Sequence, residues 1–223
     1  MRHLIDLSRG KQPADAGEKA RNLHWLIQQG YRVPSTFVLP FSAYSRYLRH
    51  PQGTLAEISE LLAEALEPDA SYAVRSSANL EDTHQYSFAG QFQTLLNVRG
   101  TVETLDAVEK VWQASQSPAV QAYLHKTGQQ SDELQMAVIM QKMVKPVISG
   151  VAFSKNPLTG LNEIVIEAVP GSGEQLVQEG KTPERWVQRW GEWIEKPPQG
   201  ATGGAYLEQA AAETAAIARK YGC

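Results

Sequence analysis

Three apolar, β-rich runs set almost end to end constrain this chain more than any other feature: MAVIMQKMV at 136–144, VISGVAFS at 147–154 and EIVIEAV at 163–169. The breaks between them are short and carry Pro or Gly. A parallel pair would need a crossover of roughly a dozen residues or more. The spacing therefore predicts antiparallel or mixed pairing, with strands following one another directly. The alternation in RWVQRWGEWI at 185–194 predicts a further hairpin.

The first part of the chain has the other periodicity. Residues 14–29 place Ala20, Leu23, Leu26 and Ile27 on one face of a helix, which Gly30 ends. Pro34 precedes a short strand, Phe37-Val38-Leu39, closed by Pro40. A second amphipathic helix spans 54–67, where Leu55, Ile58, Leu61, Leu62 and Ala65 recur, and Pro68-Asp69 breaks it. The texture changes near residue 71. Tyr72-Ala73-Val74 and the run at 92–98 read as strands, 102–114 and 118–126 as helices, and 206–221 as an Ala-rich helix. Helices followed by strands indicate an α+β protein. The expected boundary lies near residue 70, with a helical and mixed lobe at 1–70 and a β-rich lobe at 71–223.

Charge narrows the partners. A net charge of −3, with basic residues scattered along the chain, gives no reason to expect nucleic acid or an anionic membrane. No apolar stretch approaches the roughly 18 residues that span a bilayer. The opening MRHLIDLSRGK has no sustained apolar segment, so it does not read as a secretory signal. The single cysteine, Cys223, leaves no internal disulfide and fits a reducing, cytoplasmic setting.

Several familiar motifs fail on spacing. Gly180-Lys181-Thr182 lacks the P-loop's first glycine, since Gln175 stands there, and no apolar strand leads into it. Gly171 and Gly173 begin a dinucleotide fingerprint that Leu176 breaks. No histidine pair has metal-ligand spacing, and no serine sits in a nucleophile elbow.

The chemical segment is AVRSSANLEDTHQYSFAGQFQTLLNV at 73–98. A strand delivers Arg75 into a loop of hydroxyls, acids and small residues that ends in Ala89-Gly90. An arginine there can hold a phosphate through two parallel hydrogen bonds, and glycine lets backbone N–H groups approach phosphate oxygens. From composition alone, the commoner outcome is an ion pair of Arg75 with Glu81 or Asp82 that pins a surface loop.

A family resemblance reverses that preference. RSSA, ED, SFAGQ, Thr94 and LNV resemble, without a gap, the ATP-grasp domain shared by phosphoenolpyruvate synthase, pyruvate phosphate dikinase, rifampicin phosphotransferase and glucan, water dikinase. GEKARNL at 17–23 resembles the family's GGKGANL, followed by its G-x-x-VP-x-x-F at Gly30, Val33-Pro34 and Phe37. MQKMV, SGVAFSKNPLTG, IVIEA and GSGEQLV match further family segments in the right order.

The resemblance implies a two-lobed ATP-grasp-like fold with mixed or antiparallel sheets. It also implies binding of ATP with Mg²⁺ for phosphoryl transfer to a histidine on another domain. Lys19 and Arg75 match phosphate-contacting positions, and Gly90 and Thr94 match positions lining the nucleotide. Gln141 matches a glutamine beside the adenine, where its amide supplies a donor and an acceptor. Glu81, Glu167 and Glu174 match segments near the nucleotide, and no metal role is assigned to any of them. The plainer alternatives are a solvated Lys19, ordinary turn and strand chemistry at Gly90 and Thr94, and a paired core glutamine at 141. His24 and His84 are expected at the surface.

Glu18 replaces the second glycine of GGK, which puts an acid where polyphosphate is expected. Asn79 and Ser154 replace threonines and keep hydrogen-bonding capacity. The final IARKYGC resembles the helix before the family's PQDIEW, so the metal-binding acid, a Q-x-R pair and the phosphohistidine segment are expected beyond Cys223. Three readings follow: a portion of a larger phosphotransferase completed by further domains or a partner chain, a non-catalytic nucleotide-binding module, and a degenerate scaffold. The end inside a motif favours the first over the second. The joint presence of Lys19, Arg75, Gly90 and Thr94 disfavours the third. The acceptor substrate and oligomeric state are not legible.

Overall fold

A computed structural model describes residues 4–9, 13–79, 82–83, 86–87, 94–126, 134–173, 182–197 and 203–222. The chain divides into two compact units, Met1–Val144 and Lys145–Cys223.

In the first unit the strands β1 (Ile5–Asp6), β2 (Thr36–Leu39), β3 (Ser71–Ala78), β6 (Thr94–Arg99) and β7 (Met136–Lys142) form a sheet in the order β1-β2-β7-β3-β6. Every pairing is antiparallel. Two short strands, β4 (Asp82–Thr83) and β5 (Tyr86–Ser87), pair with each other. The helices are α1 (Gly17–Gln28), α2 (Phe41–Arg49), α3 (Pro51–Ala65), α4 (Gly100–Ser115) and α5 (Pro118–Lys126).

The two faces of the sheet follow from strand alternation. Tyr72, Val74, Met136, Val138 and Met140 point into the larger core, with Tyr44 and Tyr47 of α2, Ile58 and Leu62 of α3 and Trp112 of α4. Trp112 is fully buried, and its indole N–H donates to the Met136 carbonyl at 3.1 Å. The opposite face carries Val38, Ala137 and Ile139, covered by Ala16 and Ala20 at the start of α1.

Local chemistry sets the helix ends. After Gln28 the Gly30 N–H donates to Ile27 and the Tyr31 N–H to Leu26, with Gly30 at φ +82°, which closes α1 in a Schellman turn. α2 starts directly after Pro40, and Asp15 satisfies its first donors. The Asp15 carbonyl accepts from Phe41 N–H at 2.9 Å and its carboxylate accepts from Ser42 N–H at 3.2 Å.

The expected boundary near residue 70 falls between α3 and β3. β2, before it, and β3, after it, pair with the two sides of β7, so the segments on either side of residue 70 belong to one sheet. The compact units part after Val144 instead.

In the second unit β8 (Ile148–Phe153), β9 (Ile164–Pro170), β10 (Glu184–Arg189) and β11 (Glu192–Glu195) form an antiparallel sheet in the order β11-β10-β9-β8. Helix α6 (Gly204–Tyr221) packs Leu207 and Ala211 against Ile166, Ala168 and Trp186. The hairpin expected in RWVQRWGEWI is present. Trp190 and Gly191 form its tip at φ +51° and +85°, a two-residue turn of the primed kind that suits strand twist.

A buried acid braces the loop before β9. Glu163, 4% exposed, accepts from the Asn156 amide at 2.6 Å and from the Arg189 guanidinium at 2.8 Å. Asn156 in turn accepts from the Leu158 and Thr159 N–H groups at 3.0 and 3.3 Å. The Asn156 hydrogen bond, and then that of Arg189, hold the Glu163 carboxyl below the usual glutamate range. Because its folded value is depressed, its stabilisation is complete above the ordinary carboxylate range and is lost as pH falls through the folded value. Glu163→Gln should therefore lower the melting temperature at neutral pH, and the gap to the parent should narrow as the solution is acidified. A gap that stays constant down to strongly acidic pH would contradict the brace.

Candidate functional site

Arg75, Thr94 and Gln141 lie on one face of the first sheet. In the register, Arg75 stands directly opposite Thr94 on β6 and Ile139 on β7, while Gln141 stands opposite Ala73, one pleat away. Alternation puts positions 73, 75, 139 and 141 on the same side, with Gln141 about 7 Å farther along the strand direction than Arg75. This is the α1 face, because Ile139 packs with Ala20.

The start of α1 is fixed to the same face. The Ser77 hydroxyl donates to the Ala16 carbonyl at 2.9 Å. Gly17, at φ +75°, lies so close that a Cβ there would stand 2.4 Å from Ser77 Oγ and 2.8 Å from the Ser77 carbonyl oxygen. Ser77 is one pleat beyond Arg75 on β3, so the first turn of α1, with half-buried Lys19, begins beside the stretch that carries Arg75. Ala16, the residue capping that turn, makes no side-chain cap bond.

Arg75 itself is half-buried, and among the described residues no carboxylate or hydrogen-bond acceptor pairs with its guanidinium. A partly desolvated cation without a counter-charge is costly in a finished protein interior. Its surroundings suit an anion. Thr94, directly opposite, is exposed and offers a hydroxyl. Glu18, whose charge was a concern, is held by Arg21 at 2.5 Å, one helical turn along α1.

Gln141 is half-buried and paired. Its amide nitrogen donates to Thr36 Oγ1 at 3.0 Å, and the Thr36 hydroxyl donates to the Pro34 carbonyl at 2.7 Å. Glu167 belongs to the second unit, on β9, where it lies 4.0 Å from Arg185 and opposite Val151. Gly90, Glu81 and Glu174, and the acid partners weighed for Arg75, lie outside the described residues or have side chains that do. Among the described residues, no group of three His, Cys, Asp or Glu side chains gathers to hold a metal, and no helix is long and apolar enough to cross a membrane.

Two features went unseen in the sequence. Thr36 gave no signal, being one hydroxyl in a short apolar strand. His24, expected at the surface, is 5% exposed, with Nδ1 3.2 Å from the Leu7 carbonyl. Its spacing from Gly17 and Ala20, both also buried, puts it on the inner stripe of α1. Asn79 behaves as its replacement chemistry suggested. Its side-chain oxygen accepts from Gln135 N–H at 2.9 Å and prolongs the β3–β7 ladder past Ala78.

The family described as pyruvate phosphate dikinase, AMP/ATP-binding domain, matches residues 52–200 of this chain. The phosphoenolpyruvate synthase of Pyrococcus furiosus is 38% identical over 169 residues, covering 75% of this chain and 20% of its own length. The uncharacterized phosphotransferase YvkC of Bacillus subtilis is 32% identical over 192 residues, covering 77% of this chain and 23% of that protein. The prodigiosin synthesizing transferase PigC of Serratia marcescens is 30% identical over 236 residues, covering 88% of this chain and 26% of that protein. The chain thus spans 20–26% of the length of these relatives.

Proposed function

Since this chain belongs to the pyruvate phosphate dikinase AMP/ATP-binding domain family, we propose that its Arg75 face binds the polyphosphate of ATP. The observation that carries the reading is the half-buried guanidinium of Arg75, left without a counter-charge among the described residues. A triphosphate supplies that charge, and a planar guanidinium grips phosphate oxygens through paired hydrogen bonds. Lys19, in the first turn of α1, adds a second cation. The N–H groups of that turn, at the positive end of the helix dipole, add partial positive charge. The Thr94 hydroxyl and the backbone at Gly90 complete the donor set.

In this reading the fold is of the ATP-grasp kind, and Mg²⁺ arrives with the nucleotide rather than on residues assigned here. The chain's residues bind and orient the nucleotide and neutralise its charge. Phosphoryl transfer, to a histidine on another domain, is completed by segments that the longer relatives carry. By the resemblance, Glu81, Glu167 and Glu174 belong to segments near the nucleotide in the family. The expected setting is the cytoplasm.

Ligand that binds only the native state raises its stability by mass action, about 2.7 kcal/mol at a hundredfold excess over Kd. Saturating Mg·ATP should therefore raise the melting temperature of this chain by several degrees, with Mg²⁺ alone as the control. No rise at millimolar nucleotide would defeat nucleotide binding and leave the scaffold reading in its place.

A further inference from the structure

The start of α1 leaves residue 18 little choice of place. Gly17 lies against Ser77, and the Ser77 hydroxyl donates to the Ala16 carbonyl at 2.9 Å, so the backbone just before Glu18 is pinned to β3. Only the side-chain torsions of Glu18 decide where its carboxylate goes. The acid sits in the first helical turn, next to Lys19. Negative charge is favoured at that end of a helix, where the first N–H groups have no intrahelical acceptor. The same N–H groups, with Lys19, are those assigned above to the phosphates of a nucleotide. Glu18 is therefore an anion of the chain's own, tethered at the end of the helix that a ligand's anion would use.

Arg21 sets the direction of that carboxylate. Residues three apart share a helix face, and helical side chains lean toward the N-terminus, so Arg21 reaches back over the first turn. Its Nη2 donates to Glu18 Oε2 at 2.5 Å. Both side chains are partly shielded, 37% exposed for Arg21 and 41% for Glu18. Such a pair adds little to the stability of a helix. Its effect on local charge is larger. Glu18, Lys19 and Arg21 together leave this stretch with one net positive charge, and without Arg21 it is neutral. Both members of the pair depart from the GGKGANL pattern that GEKARNL resembles, which has glycine and alanine at these positions. The acid and the base that holds it come together in this chain.

We propose that Arg21 is a positioning residue which holds the Glu18 carboxylate to the flank of α1, so that this acid does not compete with a polyphosphate ligand for the positive end of the helix. This rests on the reading of the Arg75 face and the first turn of α1 as a nucleotide site. Without Arg21, the carboxylate turns to the cation beside it, Lys19, and to the N–H groups of its own turn. An incoming phosphate must then displace it or lie against it, and like charges at that range repel. Arg21 acts through Glu18 and does not itself touch the ligand.

The test is calorimetric titration with Mg·ATP of the chain, Arg21→Ala, Glu18→Gln and the double variant. Arg21→Ala should weaken ATP roughly three- to tenfold at low salt, with the melting temperature of the nucleotide-free chain almost unchanged. The loss should shrink as salt is raised, because screening weakens the freed charge. Arg21→Lys keeps a cation at the position and should retain most of the parent's affinity. Glu18→Gln alone should bind ATP at least as well as the parent. The double variant separates the explanations. With no carboxylate left to hold, removing Arg21 should weaken ATP by less than about twofold. A loss as large in the Glu18→Gln background as in the parent would mean that Arg21 meets the ligand directly, which overturns the inference. So does an Arg21→Ala that binds ATP as the parent does, or one whose weaker binding comes with a lower melting temperature that Glu18→Gln fails to restore. A parent that binds no ATP overturns the nucleotide reading and this inference with it.

Discussion

Replacing Arg75 by alanine is expected to leave the melting temperature of the nucleotide-free chain almost unchanged while weakening ATP roughly 10- to 100-fold. The two halves of that expectation come from one observation. The guanidinium is half-buried and has no acceptor among the described residues, so truncation removes no folded-state bond. Relief of an unpaired, partly desolvated charge can even raise stability slightly. The ligand loses a charge-assisted, two-pronged contact, worth roughly 1.5–3 kcal/mol. Thermal shift makes the contrast easy to read. At a nucleotide concentration a hundredfold above the parent's Kd, the parent gains about 2.7 kcal/mol, whereas a variant weakened a hundredfold gains about 0.4 kcal/mol. Arg75→Lys keeps the charge but not the fork, and should fall between them. An arginine that merely pins a loop predicts the reverse pattern, with lower stability in the absence of nucleotide and an unchanged ligand shift. That pattern would remove Arg75 from the site.

Much of this architecture was legible because its signals are local. The antiparallel pairing of β8 with β9 followed from a break too short for a crossover, and the Trp190-Gly191 tip from alternation on both sides of a glycine, whereas β7, although only a few residues before β8, joins the other sheet between β2 and β3. Helix α5 was expected at 118–126 and forms there. Helix α2 was not anticipated. Its buried residues, Ala43, Tyr44 and Tyr47, do recur at helical spacing, but Ser, Arg and Tyr between them dilute the apolar stripe. Its start also depends on Asp15, far back in the chain.

Long-range pairing was the harder part. Nothing local in 71–78 says that β3 will pair with β7 rather than open a new domain, and the change of texture near residue 70 suggested a boundary that the shared strand β7 removes. The same limit applies to the site. Motif resemblance pointed to Arg75, Thr94 and Gln141, but their common face is a property of register. The pairing of Gln141 with Thr36 is more hidden still, since Thr36 is one hydroxyl in a short apolar strand that reaches β7 only through long-range register.

Gly17 joins the fold and the proposed site, and Gly17→Ala is expected to be the most damaging glycine-to-alanine change among the described glycines of the first unit. Two separate effects act at that position. Its φ of +75° is a left-handed conformation that a side chain disfavours by about 1–2 kcal/mol. A methyl group would also stand 2.4 Å from Ser77 Oγ and 2.8 Å from the Ser77 carbonyl oxygen. Rotating the hydroxyl away breaks its bond to Ala16 at 2.9 Å. The carbonyl belongs to the backbone of β3 and cannot move without disturbing the ladder to β7. The combined effect should be roughly 2–4 kcal/mol, read as a drop of several degrees in melting temperature. Gly30→Ala separates the two parts. Gly30 has a similar φ of +82° but nothing within 4 Å of the added Cβ, so it reports the conformational part alone. The excess at Gly17 measures how firmly the start of α1 is seated on β3. Because that seating sets the first turn of α1, which carries Lys19, against β3, the proposed ATP site predicts that Gly17→Ala weakens ATP as well as the fold, while Gly30→Ala, at the far end of the helix, spares ATP. Equal melting temperatures for the two variants would mean that α1 does not bear on Ser77, and the proposed role of Lys19 beside Arg75 would lose its structural support.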